Sequence, residues 1–206
     1  MNSAWPPARP TPTTPPPPTS PPAQSSEAPV PEADPARVSR RGRVFYRAPV
    51  SVVVRGYGPE DAEGTWEAYF RAIRDTASKD YSPEQVAAWA PETVDLVQWN
   101  ERRSAAHTFV ATIEGRVAGF SDVTDDGLLD MLFVHSDAGG SGVARALVGA
   151  VVAKARELGL AQLRTHASRT AMPAFKRFGF EVERANPDNW IRGENLPNYD
   201  MCLKLD

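Results

Sequence analysis

Three glycines fall at Gly139, Gly140 and Gly142, inside the segment Val134-His135-Ser136-Asp137-Ala138-Gly139-Gly140-Ser141-Gly142-Val143-Ala144-Arg145. A β-rich run precedes this segment and an amphipathic run follows it. Glycine lets a backbone turn its N–H groups toward a ligand without Cβ clashes. A helix N-terminus adds unpaired donors and a partial positive charge of roughly half an electron. Together they suit a pyrophosphate. A Walker loop is excluded, because no Gly-Lys-Ser/Thr tripeptide follows. A dinucleotide fingerprint fits Gly140 and Gly142 but meets Arg145 at its third defined position. Without a ligand, the same segment reads as a plain glycine-rich strand–helix connection.

Other reactive side chains give weaker patterns. His107, His135 and His166 show no metal-ligand spacing and read as structural, so no metal is expected. Cys202 is the single cysteine. It permits no internal disulfide and fits a reducing compartment. Its place in a β-rich run reads as a packed small residue.

The elements that must position the loop follow from period and punctuation. Ser51 to Arg55 is a β-branched run and reads as a first strand. Gly56-Tyr57-Gly58-Pro59 ends it, and Pro59 opens a helix with Glu60 and Asp61 at its positive end. Trp66, Tyr69, Phe70 and Ile73 recur on one helical face. Such an aromatic stripe reads as core. Ser82, Pro83 and Gln85 form the start of a second helix as a capping box. Residues 93 to 102 read as a further short helix. His107 to Ile113 and Arg116 to Val123 make a hairpin across Glu114-Gly115. Asp125-Asp126-Gly127 turns the chain into a third strand, Leu128 to Val134, completing an antiparallel meander.

After the glycines, Val143, Leu147, Val151 and Ala155 recur at i+4, with Gly159 at the C-terminal end. Gln162 to Ala167 is a strand, expected parallel to the one before the helix. Ala171 to Arg177 is a short helix. Phe180 to Arg184 and Tyr199 to Leu205 read as closing strands. The fold class is a mixed α/β sheet with helices on its faces.

Composition divides the chain. Thirteen of the 20 prolines lie before residue 36. That stretch offers too little apolar surface to offset the entropy of ordering. Residues 1–49 are expected to be a disordered, proline-rich tail, and residues 50–206 one domain of common size. The tail carries six arginines against three acids, with Arg37, Arg40, Arg41, Arg43 and Arg47 clustered. They read as a solvated basic linker or as a contact for an acidic surface. The rest carries 17 basic against 23 acidic residues. That balance argues against nucleic acid as the main partner. No apolar run reaches the ~20 residues that span a bilayer. No membrane contact is expected. No hydrophobic segment follows Met1, and cytoplasmic residence is the expectation.

The glycine segment resembles the coenzyme A loop of the GNAT superfamily of N-acetyltransferases, Gln/Arg-x-x-Gly-x-Gly/Ala. Gly142 and Ala144 match its last defined positions, and Gly139 departs from the first. Ser168-Arg169-Thr170-Ala171-Met172-Pro173-Ala174-Phe175-Lys176-Arg177-Phe178-Gly179-Phe180 is similar to the family's later motif, Asn-x-x-Ala-x-x-Phe-Tyr-x-x-x-Gly-Phe. With Asp80 to Gln85, Trp89-Ala90-Pro91, Arg192-Gly193 and Asn198 to Met201, the chain resembles a YafP-like bacterial branch of that family. The resemblance runs from Val50 to the C-terminus.

The resemblance implies a GNAT-like fold in which two neighbouring strands splay. It implies acetyl transfer from acetyl-coenzyme A to an amine, by direct attack on the thioester. The acceptor is a small-molecule amine or an amine on a peptide or protein, and the state is monomer or homodimer. Leu132, Phe133 and Val134 would hold the pantetheine arm. Gly139, Gly140, Ser141, Gly142, Val143 and Ala144 would hold the pyrophosphate, with Ser168 nearby. Asp130 is the first candidate for general base, with Asp80 and Asp126 as alternatives. Phe175 stands where many relatives carry the tyrosine that protonates the leaving thiolate. Tyr199 and Tyr81 are the replacement candidates. Tyr81, just before a cap, is expected to be the least core-like aromatic residue. The alternative from another class is a coenzyme A-binding module with little or no catalysis.

Overall fold

The computed structural model describes residues 51–205. The expected proline-rich tail and its arginine cluster lie outside the described residues. The β-branched run forms β1 (Val52–Gly56), which pairs antiparallel with β2 (His107–Ile113). Next comes β3 (Arg116–Val123), then the short β4 (Leu132–Val134), in sheet order β1-β2-β3-β4. The meander is therefore as expected. A second sheet holds β5 (Gln162–Ser168), β6 (Glu181–Asn186) and β9 (Asn198–Lys204), in order β5-β9-β6. The connection between β6 and β9 carries a small hairpin, β7 (Trp190–Ile191) and β8 (Glu194–Asn195). Its turn uses Arg192 and Gly193 at φ 48° and 86°.

Helices cover both faces of the first sheet. The long amphipathic helix α4 (Val143–Glu157) packs Val143 and Leu147 against Ala111 and Ala118. Side chains of this size contribute about 1.5–3 kcal/mol each when fully buried. The opposite face is covered by α1 (Ala62–Arg71) and α3 (Leu96–Ala105). Their Tyr69 and Trp99 pack on Phe133 and Phe120, with ring centroids 4.7 and 5.8 Å apart. The remaining helices are α2 (Pro83–Trp89) and α5 (Met172–Arg177). At α2 the expected capping box forms: Gln85 N–H donates to Ser82 Oγ at 3.3 Å, and Ser82 N–H to Gln85 Oε1 at 2.8 Å. The third helix begins later than expected, because Asp95 accepts the N–H groups of Val97 and Gln98 at 3.0 and 3.1 Å.

Among the described residues, backbone bonds join the two sheets at one place. Leu128 pairs with Arg164 in parallel. Leu129 N–H donates to Arg164 O at 2.8 Å, and Arg164 N–H to Gly127 O at 2.9 Å. Beyond this point β4 stays with β3, and β5 stays with β9. The parallel pair therefore opens into a wedge toward its C-terminal ends. The expected parallel relation is present, but as one bridge and not as a ladder.

The expected strand from Leu128 to Val134 is also interrupted. Asp122 N–H donates to Met131 O and Thr124 N–H to Leu128 O, at 3.1 and 3.0 Å. Two steps along β3 thus face three steps along the opposing chain, which defines a β-bulge. Leu129 and Leu132 both pack toward the α4 side, in the same core cluster. The two residues between them, Asp130 and Met131, are left for the other face. A strict two-residue period read from sequence has no way to register such an extra residue.

Candidate active site

The glycine segment meets α4 as its residue types require. After β4, residues Ser136–Ala138 make one turn of 3-10 helix. Ser136 Oγ donates to Asp75 Oδ2 at 2.8 Å and ties that turn to the extension of α1. Gly140 and Gly142 then take φ of 75° and 89°, the left-handed region that favours glycine. A Cβ at either position would meet nothing within 4 Å, so the loop faces open space. Gly142 is the N-cap of α4 and offers no side-chain acceptor to the helix. The first-turn N–H groups of Val143, Ala144 and Arg145 have no acceptor within the helix. They leave a donor-rich, partly positive end able to hold an anion. Gly139 N–H and Ser141 N–H instead bond back within the turn, to Ser136 O and Ala138 O, each at 3.3 Å. Ser141 Oγ also donates to Ala138 O, at 2.6 Å.

Close approach sets the floor of this loop. A Cβ on Gly119 would lie 2.6 Å from Phe133 O and 3.0 Å from Val143 Cγ1. Glycine there lets β4 and the start of α4 sit against β3.

β4 presents its free edge to the wedge. Met131 and His135 face β3, through Asp122 N–H to Met131 O and His135 N–H to Ala118 O. Alternation in an antiparallel pair turns Leu132 and Val134 the other way. Their N–H and C=O groups therefore point toward β5, where no ladder partner stands. The side chain of Phe133 goes to the opposite face, packed edge-on against Tyr69. Of the three residues expected to hold the arm, two offer main-chain groups to the wedge, and Phe133 lines the far side.

Asp130 sits at the wedge mouth, on the bulge. It reaches solvent. Yet burial of its carboxyl by surrounding protein raises its pKa, with Arg103, His166 and Arg102 acting in the opposite direction. Beneath it lies a buried ion pair between Arg103 and Asp122, whose side chains are 3% and 1% exposed. Asp122 Oδ1 accepts Met131 N–H at 2.9 Å, so this pair holds the bulge. Complete burial raises the Asp122 carboxyl to about 6, despite Arg103 alongside. Arg103 Nε is buried without a partner among the described residues, and its guanidinium carbon lies 5.1 Å from the Trp99 ring centroid. Neither Arg103 nor Asp122 stood out in the sequence. Asp122 lies on a strand otherwise rich in apolar residues, and that interruption was the available signal.

The other expected residues separate. Tyr81 is 6% exposed, which corrects the expectation that it would be the least core-like aromatic. Its hydroxyl donates to Pro197 O at 2.8 Å and accepts Arg169 N–H at 2.9 Å. Three segments distant in sequence meet on it, and burial raises its pKa. Tyr199 lies half-buried on β9, opposite Ala167. Its ring packs against the core cluster that holds Leu129, and its hydroxyl makes no hydrogen bond among the described residues. Ser168 ends β5 and its Oγ accepts Ala171 N–H at 3.1 Å, a cap before α5. Phe175 is buried edge-on against Phe180 at 5.1 Å. Cys202 is buried as expected. Asp80 accepts a hydrogen bond from Thr170 Oγ1 at 2.6 Å, and Asp126 pairs with Arg164 at 3.2 Å. Both are engaged by other side chains. Among the described residues no helix is long and apolar enough to cross a membrane.

Comparison with known proteins gives consistent matches. A family model described as an acetyltransferase (GNAT) domain matches residues 77–195. The chain is 34% identical over 154 residues to the uncharacterized N-acetyltransferase YafP of Escherichia coli strain K12, covering 75% of this chain and 97% of that protein. The crystal structure of a GCN5-related N-acetyltransferase from Rhodopseudomonas palustris superimposes with a TM-score of 0.72 at 33% identity, covering 76% of this chain and 98% of that one. The fold is also that of yncA from Salmonella typhimurium, solved with its cofactor acetyl-CoA. That match has a TM-score of 0.59 at 22% identity and covers 76% of this chain and 95% of yncA.

Proposed function

The chain belongs to the GNAT acetyltransferase family, and from that premise we propose that it transfers an acetyl group from acetyl-coenzyme A to an amine by direct attack on the thioester. The observation that carries this reading is the wedge beyond Leu128 and Arg164, with the open N-terminus of α4 behind it. The residues fit the group. The amides of Gly140, Gly142, Val143, Ala144 and Arg145 would take the pyrophosphate. The free edges of Leu132 and Val134 would take the amide-bearing arm as an added strand takes a ladder. Ser168 lines the end of β5, where the wedge is widest.

An N–H on this edge can also polarise the thioester carbonyl. Such a preorganised donor is worth about 10²–10³ in rate. Holding both substrates at the mouth supplies further acceleration by proximity. Asp130 meets the amine from the α1 and α3 side, where its carboxylate attracts the ammonium form. Phe175 has no proton to give. The thiol is a good leaving group and can depart as thiolate, and Tyr199 keeps a hydroxyl with no hydrogen bond among the described residues. Tyr81 fits a positioning role, because both of its hydrogen-bonding roles are taken.

The test is thiol release from acetyl-coenzyme A by the full chain, over a panel of alkylamines, aromatic amines, amino acids and short peptides. Amine-dependent release supports the reading. Tight acetyl-coenzyme A binding with no release for any amine supports instead a binding module, the reading that Phe175 favours.

A further inference from the structure

We propose that His166 is the group that takes the proton from the attacking amine, with Asp200 holding its ring for that task. This rests on the acetyl-transfer reading and names a catalytic residue within it.

Leu128 and Arg164 are the last paired residues before the wedge. Two residues onward along each chain stand Asp130 and His166. Side chains two apart on a strand share a face. Leu129 and Leu163 go to the core cluster on the α4 side. Asp130 and His166 therefore meet across the mouth on the opposite, solvent-reaching side. His166 is close enough to act on the Asp130 carboxyl, pulling it down against the upward effect of burial.

The ring is held and its free nitrogen is identified. His166 Nδ1 lies 2.8 Å from Asp200 Oδ1. Asp200 is only 18% exposed and takes further hydrogen bonds from Asn186 Nδ2 at 2.6 Å and from Arg184 Nε and Nη2 at 2.9 and 2.6 Å. Burial alone would raise this carboxyl, but the bonds from Asn186, His166 and Arg184 outweigh it and keep it below the ordinary range. An ionised carboxylate only accepts hydrogen bonds. His166 Nδ1 must then carry the proton of the neutral ring, which leaves a lone pair on Nε2. Nε2 makes no hydrogen bond among the described residues, and the side chain is 58% exposed. A histidine kept only for packing would be buried. This one is fixed at one nitrogen and open at the other.

The step balances. His166 Nε2 removes one proton from the ammonium and becomes imidazolium, with Asp200 and Asp130 as counter-charges. The neutral amine forms its C–N bond to the acetyl carbon, and the C–S bond breaks. The second amine proton passes to the departing thiolate, and His166 returns its own proton to solvent.

The charged groups around the ring are Asp200 from β9, Arg184 from β6 through Asp200, Asp130 from the bulge and Arg164 from β5 itself. A test uses the full chain, His166→Ala and His166→Gln, with the best amine of the panel between pH 6 and 9. The expected result is a fall in kcat/KM of about 10²–10⁴. Acetyl-coenzyme A binding stays unchanged, and added imidazole restores His166→Ala at least tenfold. Turnover within threefold of wild type in both variants overturns the proposal. A loss that imidazole does not relieve, with the pH profile unmoved, overturns it as well and leaves a structural role. Absence of thiol release by wild type for every amine removes the acetyl-transfer reading itself, and the proposal falls with it.

Discussion

Asp130 combines two properties that normally exclude each other. It reaches solvent, and the protein around its carboxyl still raises its pKa. A group raised in the folded state favours folding when protonated. Its contribution is full below the unfolded value and is lost as pH rises through the folded one. At pH 7 the ionised form therefore costs stability. Asp130→Asn is expected to unfold at a higher urea midpoint than wild type at pH 7, with the gap closing as pH falls toward 4. The same variant should lose about 10²-fold or more in kcat/KM while binding acetyl-coenzyme A normally. A variant that is less stable at pH 7, or that keeps full turnover, contradicts this account of Asp130. Tyr81 is the opposite case. Its hydroxyl satisfies Pro197 O and Arg169 N–H, so Tyr81→Phe should cost about 1–3 kcal/mol in urea unfolding.

At the scale of elements, the bulge and the wedge are one device. The Arg103–Asp122 pair sits under the bulge, and Asp122 takes the Met131 N–H that a regular ladder would have used. Asp122→Ala leaves a buried guanidinium uncompensated. The expected cost is about 3–5 kcal/mol in urea unfolding, far above that of an ordinary surface change. A loss under 1 kcal/mol would mean that the pair does not hold the bulge. The sequence made the regular parts legible. The capping box at Ser82, the β2–β3 hairpin and the period of α4 are local signals, and each element stands where its pattern placed it. The bulge at Asp130 was not legible, because an extra residue only shows once the opposing strand is known. The same holds for His166. Its spacing to the other histidines carried no message, since its partner Asp200 comes from another strand. The burial of Tyr81 was not legible either, because its position before a cap is local information, whereas its burial depends on Pro197 and Arg169.

For the whole molecule, every residue assigned to the site lies within residues 51–205. Removing residues 1–49 is therefore expected to leave thiol release unchanged. A loss on truncation would bring the proline-rich segment into the function. The loop before α4 and the wedge beside β4 must act as a single cradle if the account is right. The most direct measurement is calorimetric binding of acetyl-coenzyme A to the full chain and to Gly142→Glu, with circular dichroism as the check on folding. A glutamate at the α4 N-cap puts bulk and negative charge where the pyrophosphate should lie. The account predicts clear binding by wild type and at least a tenfold weaker Kd for the folded variant, about 1.4 kcal/mol or more. Equal binding by both proteins would contradict it.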